Sequence, residues 1–244
     1  MPNTFTILKI ELPYIKCNTH KSFLKVVNTY IHTLVNHNVS LFNEASLKTN
    51  TIHAAKKDSA ITDKLLAPFW QKKQLGIMVY TKTGIALAKI WLQLMESNYP
   101  HLVTDYAISE INYVPKIQEN NNIYKSEFWA PMRKATFNNG FWYYNTQKKG
   151  AVIADFNGLL VKAIQTFLDK YCKEHCSEIL NNSNLWLAIR SLQHHKEYAS
   201  LGYNKKHKHK LFTIEFETNL ELPQNFHLGQ AIGFGNGYFT KKQI

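Results

Sequence analysis

The order of periodic segments in the first 114 residues constrains this chain more than any other feature. Thr4 to Leu12 alternates like a strand, with Phe5, Ile7 and Ile10 among polar neighbours and Leu8 as a break in the pattern. Thr19 stands where a helix N-cap would. From Lys21 to Asn38 the apolar residues Phe23, Val27, Tyr30, Ile31 and Leu34 recur at helical spacing. Leu75 to Tyr80 reads as a strand, Ile85 to Glu96 as an amphipathic helix started after Thr83-Gly84, and Ala107 to Val114 as another strand. Asn43 to Lys64 is irregular and polar. One more short strand within Leu47 to His53 gives the order strand, helix, strand, strand, helix, strand, which is the ferredoxin-like split unit.

Gln118 to Asn122 is polar and asparagine-rich with no apolar periodicity, and reads as a linker. Beyond it, strands are expected at Phe128 to Phe137, Gly140 to Tyr144 and Ala151 to Ala154. A long helix from Asn157 to His175 follows, then strands at Leu185 to Leu192 and Leu211 to Phe216. The expected fold class is α+β, with two tandem ferredoxin-like (RRM-like) domains and a C-terminal glycine-rich loop. The domains are placed at residues 1–118 and 123–244.

The 244 residues are 45% hydrophobic and 19% charged, a composition that excludes a disordered tail. No run approaches the roughly 18 to 20 apolar residues that span a bilayer. Met1 to Lys16 lacks the apolar core of a signal peptide, so a cytoplasmic protein without membrane association is expected. The net charge of +12 is a long-range field that attracts polyanions, nucleic acid first among them. The cations are almost all lysine, and the two arginines are Arg133 and Arg190. Lysine lacks the bidentate fork that reads guanine edges, which favours recognition of backbone and shape over base-by-base readout. Cys17, Cys172 and Cys176 do not make a disulfide framework. Cys172, His175 and Cys176 match none of the usual zinc spacings, and neither a metal nor another cofactor is expected.

Near the C-terminus, Gly229, Gly233, Gly235 and Gly237 fall within nine residues, followed by Lys241 and Lys242. Such a run can present main-chain N–H groups to a phosphate, and it can equally serve tight turns and sheet corners. Just before it lies the densest positive segment, Lys205-Lys206-His207-Lys208-His209-Lys210, expected at a hairpin tip. Two readings stand for this segment: a solvated loop, or a lysine and histidine clamp for phosphates. In the first helix, about 100° per residue puts His32 nearly opposite the apolar stripe, on a polar face shared with Lys21, Lys25, Asn28 and Asn36. A histidine there is a candidate general acid or base for a phosphate substrate or an ordinary surface residue, and His37 turns back toward the core.

Tandem split units, basic charge, a histidine in the first helix and the terminal glycine run together resemble the sixth Cas family. These are the CRISPR-associated endoribonucleases of the RAMP superfamily that cut repeat RNA. The family's loop has the form Gly-x-Gly-x-x-x-Gly-x-Gly; Gly229, Phe234, Gly235 and Gly237 match it, with Ala231 where the family often has glycine. Ile31-His32-Thr33-Leu34-Val35 is similar to the catalytic-histidine helix of the type I-F branch, and Ile189-Arg190-Ser191 to its Arg-Ser pair. The chain has neither the arginine-rich helix nor the Pro-Trp-Phe-like tail of that branch.

The resemblance implies metal-independent cleavage of CRISPR repeat RNA, in which a ribose 2′-OH attacks phosphorus to leave a 2′,3′-cyclic phosphate. It implies His32 as general acid or base, Ser191 as the group orienting the 2′-OH, and Lys25 as a stabiliser of phosphate charge. It implies RNA contacts from Arg190, the Lys205 to Lys210 segment, Gly229, Gly233, Phe234, Gly235, Gly237, Lys241 and Lys242, with Phe234 or Tyr238 able to stack on a base. Other effector-complex subunits are implied as partners. The alternative within the superfamily is a noncatalytic RNA-binding subunit of a CRISPR effector complex.

Overall fold

The computed structural model describes residues 5–38, 41, 66–132, 135–146, 150–172, 178–201, 208–230, 232 and 235–243. They fall into two compact units. The N-terminal unit is Thr6–Tyr113 with Gly233–Gly235, and the C-terminal unit is Met1–Phe5, Val114–Ile232 and Asn236–Ile244. No described helix is long and apolar enough to cross a membrane.

The N-terminal unit begins with β1 (Phe5–Lys16) and α1 (His20–Val27). That helix runs on through a π-helical turn (Asn28–Thr33) into α2 (Leu34–His37). β2 (Ala67–Gln71), β3 (Gln74–Val79), α3 (Lys82–Asn98) and β4 (Ala107–Tyr113) follow. The sheet order is β2-β3-β1-β4, with β3 antiparallel to both neighbours. β1 and β2 therefore run parallel with β3 between them, joined by a helical crossover, which is the split unit expected from the sequence. The strand expected within Leu47 to His53 lies outside the described residues, and β2 fills that place in the order. Pro68 disguises β2 in the sequence, and the strand's edge position is where a proline is tolerated. Strict inward–outward alternation does not hold on β3, whose residues Leu75 to Val79 are all buried. Leu75, Ile77 and Val79 join Phe23, Val27, Ile31, Leu87, Trp91 and Met95 of the helices in one core.

β2 and β3 are joined by a two-residue turn, Lys72-Lys73, with φ of 50° and 61°. The same turn type closes another hairpin, where Asn139 and Gly140 have φ of 47° and 80°. Asn-Gly is the preferred filling of such a turn, because both residues tolerate positive φ. For an ordinary L-residue the left-handed region costs about 1–2 kcal/mol.

The C-terminal unit contains β5 (Lys116–Trp129), β6 (Thr136–Asn138), β7 (Phe141–Thr146), β8 (Gly150–Ile153), α4 (Phe156–Tyr171), β9 (Leu187–Leu201), β10 (Lys208–Glu221), β11 (Asn225–His227) and β12 (Tyr238–Lys241). Its main sheet has the order β11-β12-β5-β10-β9, and β6-β7-β8 form a separate small sheet. Taken alone, β9-β10-β5-β12 repeats the strand order of the first sheet, with α4 as its first crossover. α4 is capped by Asp155, which accepts from Gly158 N at 3.1 Å, and it buries Leu160, Ile164, Phe167 and Leu168 at helical spacing. The unit departs from a complete split unit in two ways. The small sheet is inserted between β5 and α4. Where a second crossover helix would run, the described residues form β11 and the glycine-bearing turns.

The expected linker Gln118 to Asn122 is corrected: it is part of β5, paired along β10 from Asn122↔Thr218 to Ile117↔Leu220 around a bulge. Its polar residues are satisfied by one another and by the neighbouring strand. Gln118 Nε2 donates to Glu221 Oε2 at 2.8 Å, Asn121 Nδ2 to Glu217 Oε1 at 3.0 Å, and Asn122 Nδ2 to Gln118 Oε1 at 3.2 Å.

Gly237 has φ +72°, and a Cβ built on it would lie 1.9 Å from the Leu228 carbonyl oxygen; Gly140 has φ +80° with open space around it. Gly140→Ala is expected to cost about 1–2 kcal/mol. Gly237→Ala adds a backbone collision and is expected to cost about 3 kcal/mol or more. Urea denaturation of the two variants beside the wild type checks the ordering.

Candidate active site and nucleic-acid interface

Thr19 caps α1 as expected: its Oγ1 accepts from Ser22 N at 3.1 Å, and Ser22 Oγ accepts from Thr19 N at 2.9 Å. Phe23, Val27, Ile31 and Leu34 are buried, as the periodicity requires. The position of His32 is corrected. Its residue exposure is 5%, and it lies beside buried Ile31, not on the open polar face with Lys25. The physical reason is the π-helical turn. Its i→i+5 bonding gives a wider turn than the α-helix, so each residue advances by less than about 100° around the axis. The face occupied by every following side chain is thereby rotated. His37, expected toward the core, is exposed for the same reason.

Two hydrogen bonds fix this turn. Trp91 of α3 is fully buried and donates its indole N–H to Tyr30 O at 2.8 Å. His32 Nδ1 lies 3.0 Å from Asn28 Oδ1. An amide oxygen only accepts, so in this contact Nδ1 is the donor. In the sequence Asn28 stands out only as a polar neighbour of His32. Its place four residues before the histidine was the available signal. Lys25 is exposed on α1.

Ser191 and Arg190 belong to the C-terminal unit, on β9 at the edge of the five-stranded sheet. Both are exposed. Ser191 sits opposite Glu215 of β10, and a register shift next to this pair leaves Arg190 in a bulge. Arg190 Nε lies 3.6 Å from Glu217 Oε2, and Lys242 Nζ lies 2.5 Å from Glu215 Oε2. These two expected RNA-binding cations therefore face carboxylates of β10. Lys241 is half-buried in β12.

The structure describes part of the glycine run. Gly237 N donates to Phe128 O at 2.7 Å and Gly237 O accepts from Leu228 N at 2.9 Å, so this amide is used inside the protein. Gly229 packs where a Cβ would stand 2.9 Å from Ala130 O and from Trp129 Nε1. In the N-terminal unit, Gly235 packs edge-on against the Phe23 ring. These three glycines allow close backbone approach. Tyr238, expected to stack on a base, is buried against His227, and its hydroxyl donates to Asn225 Oδ1 at 2.7 Å. Gly233, Phe234 and Ala231 lie outside the described residues.

In the basic segment, Lys205, Lys206 and His207 lie outside the described residues. Lys208, His209 and Lys210 are not at a tip but in β10, paired with Leu201, Ser200 and Ala199. His209 is buried and Lys210 half-buried, because alternate residues of a paired strand turn inward.

Of the cysteines, Cys172 is the C-cap of α4, its N–H donating to Leu168 O at 2.7 Å. His175 and Cys176 lie outside the described residues. Burial pushes the Cys17 thiol up to about 11 and the Cys172 thiol up to about 12, which keeps both protonated at neutral pH. Iodoacetamide at pH 8 is expected to leave both unmodified in the folded protein and to alkylate both in urea, as peptide mapping would show.

No protein-family model matches the sequence, and no curated protein matches it. Solved structures do. A structure described as Cas6b superposes with a TM-score of 0.63 at 14% identity, covering 98% of this chain and 100% of the other. A second, described as the CRISPR RNA processing endoribonuclease Cas6b, gives 0.50 at 14% identity, covering 98% and 100%. Csf5, described as a type IV Cas6 crRNA endonuclease, gives 0.51 at 10% identity, covering 99% and 100%. At these identities the likeness is one of fold, and in fold this chain is a Cas6-like protein.

Proposed function

We propose that this protein binds CRISPR repeat RNA and cuts it, using His32 as the proton-transfer group. The observation that carries the reading is the π-helical turn holding His32 against Asn28, within a fold shared with proteins described as CRISPR RNA endonucleases. π-turns inside α-helices occur frequently at functional sites. The net charge of +12 supplies the attraction for a polyanion.

The proposed reaction needs no metal. A ribose 2′-oxygen forms a bond to the adjacent phosphorus and the bond from phosphorus to the 5′-oxygen breaks, leaving a 2′,3′-cyclic phosphate. The 2′-OH proton passes to a base, and the departing 5′-oxygen takes up a proton. His32 Nε2 serves one of these transfers while Asn28 holds Nδ1–H. Ser191 as the group orienting the 2′-OH and Lys25 as a stabiliser of phosphate charge complete the proposal. Arg190, Lys241 and Lys242, the Lys205 to Lys210 segment and the remaining glycine-run residues contact the RNA.

The 5% exposure of His32 favours the second reading, a noncatalytic RNA-binding subunit, because a base must touch its substrate. A cleavage assay in EDTA on the organism's own repeat RNA separates the two. Cleavage of that RNA, and survival of the same RNA with a 2′-deoxy substitution at the cut site, supports the nuclease. Tight binding without cleavage supports the subunit.

General acid–base catalysis contributes about 10² to 10⁴ in rate, so His32→Ala is expected to lower single-turnover cleavage by that factor with Kd for RNA unchanged. Asn28→Asp places a carboxylate at Nδ1 and favours the imidazolium, so the limb of the pH–rate profile that reports His32 is expected to move to higher pH. An Asn28→Asp profile that superposes on the wild type would show that this side chain does not set the state of the ring.

A further inference from the structure

We infer that the Lys72-Lys73 turn is a contact for the sugar–phosphate backbone of RNA, an inference that rests on the RNA-binding reading above. Within one chain, the same two-residue hairpin is closed once by Asn139-Gly140 and once by two lysines, all four residues at positive φ. The β2–β3 turn accepts backbone strain that the β6–β7 turn avoids. Strain of this kind persists where the surrounding structure over-determines it, and it clusters at functional positions.

The surroundings do over-determine this turn. Gln71 pairs with Gln74 on its two flanks, and Cys17 N, just past the end of β1, donates to Lys73 O at 2.7 Å. The turn is thus fixed from both the hairpin and the neighbouring strand.

Charge points to the ligand. Lys72 and Lys73 are both exposed, and neither makes an ion pair with a described residue. Among the described cations, Lys9 pairs with Glu11, Lys116 with Glu221, Arg190 with Glu217 and Lys242 with Glu215, whereas Lys72 and Lys73, like Lys21 and Lys25, have no such partner. Between Asp63 and Glu96 the sequence holds five lysines and no acidic residue. Two ammonium groups on flexible stems at adjacent positions suit adjacent phosphates, and they read no base edge. The lysines also explain why the strained filling is kept: Asn-Gly would make a better turn and carry no charge.

The test uses the full chain and three double variants. Lys72→Asn with Lys73→Gly relaxes the turn and removes the charge. Lys72→Gln with Lys73→Gln removes the charge and keeps the strain. Lys72→Arg with Lys73→Arg keeps both. The probe is a fluorescein-labelled RNA of about 30 nucleotides, a stem-loop with single-stranded flanks, titrated by anisotropy from about 50 to 300 mM salt. The Asn/Gly variant is expected to unfold at higher urea than wild type and to bind about tenfold more weakly at about 0.1 M salt. Its slope of log K against log salt should be shallower by about 1.4 to 1.8, the value for two phosphate contacts. The Gln/Gln variant should show the same binding loss without the gain in stability, and Arg/Arg should bind like wild type.

An Asn/Gly variant with unchanged Kd and salt slope overturns the proposal, as does one with no gain in stability. Loss of binding to an acidic protein, with RNA binding intact, overturns it in favour of a protein partner. If the wild type binds no RNA, this proposal and the RNA reading both fall. Wild-type binding with an indifferent variant removes this one alone.

Discussion

The hydrogen bond from the Trp91 indole to the Tyr30 carbonyl governs the geometry of the N-terminal unit. It ties the π-helical turn of the first crossover to the middle of the second. A fully buried indole N–H is stabilised by an acceptor, which Trp91 finds in the Tyr30 carbonyl. With Trp91 in the core, the first helix is held at the rotation that turns Ile31 and His32 inward together. The candidate catalytic ring therefore takes its position from core packing and from the contact with Asn28 on its own helix.

Backbone conformation is distributed in the same logic. Gly237 and Gly229 sit where the main chain passes too close to Leu228, Trp129 and Ala130 to carry a side chain. Glycine there allows the chain between β11 and β12 to lie against the end of β5. In the described residues the run allows the main chain to pass close to its neighbours. Conversely, Lys72 and Lys73 occupy a conformation that glycine or asparagine would hold with less strain.

Much of the fold was legible because the core of the first unit follows simple periods. Phe23, Val27, Ile31 and Leu34 mark one face of a helix, and the run Leu75 to Val79 can only be a buried strand. The order of elements along the first unit followed from the alternation of element types, whereas the order of strands across the sheets comes from the structure. What could not be read depends on long-range partners. Gln118 to Asn122 carries no apolar alternation, and it is a strand because Glu217 and Glu221 of β10 receive its amides. β2 contains a proline that only its edge position excuses. For the site, the residue type and helix of His32 were legible but its face was not, because a period of 3.6 residues assumes the very turn that the π-helical segment replaces. Ser191 and Arg190 were placed on a strand correctly, while the carboxylates opposite them came from a strand about 25 residues later in the chain.

The central position of β5 also bears on how the chain is made. β5 lies between β10 and β12, and both partners are synthesised long after it. Trp129 waits for Phe212, roughly 80 residues on, which at ribosomal rates of about 5–20 residues per second is about 4–16 s. Throughout that interval β5 has two open edges, the condition under which strands pair with the wrong chain. Lys116-Ile-Gln-Glu-Asn-Asn-Asn makes its first half a poor substrate for such pairing, since charge and amide side chains guard the segment while it waits. The polarity that hides this strand from periodicity thus protects the nascent protein from aggregation until its partners emerge.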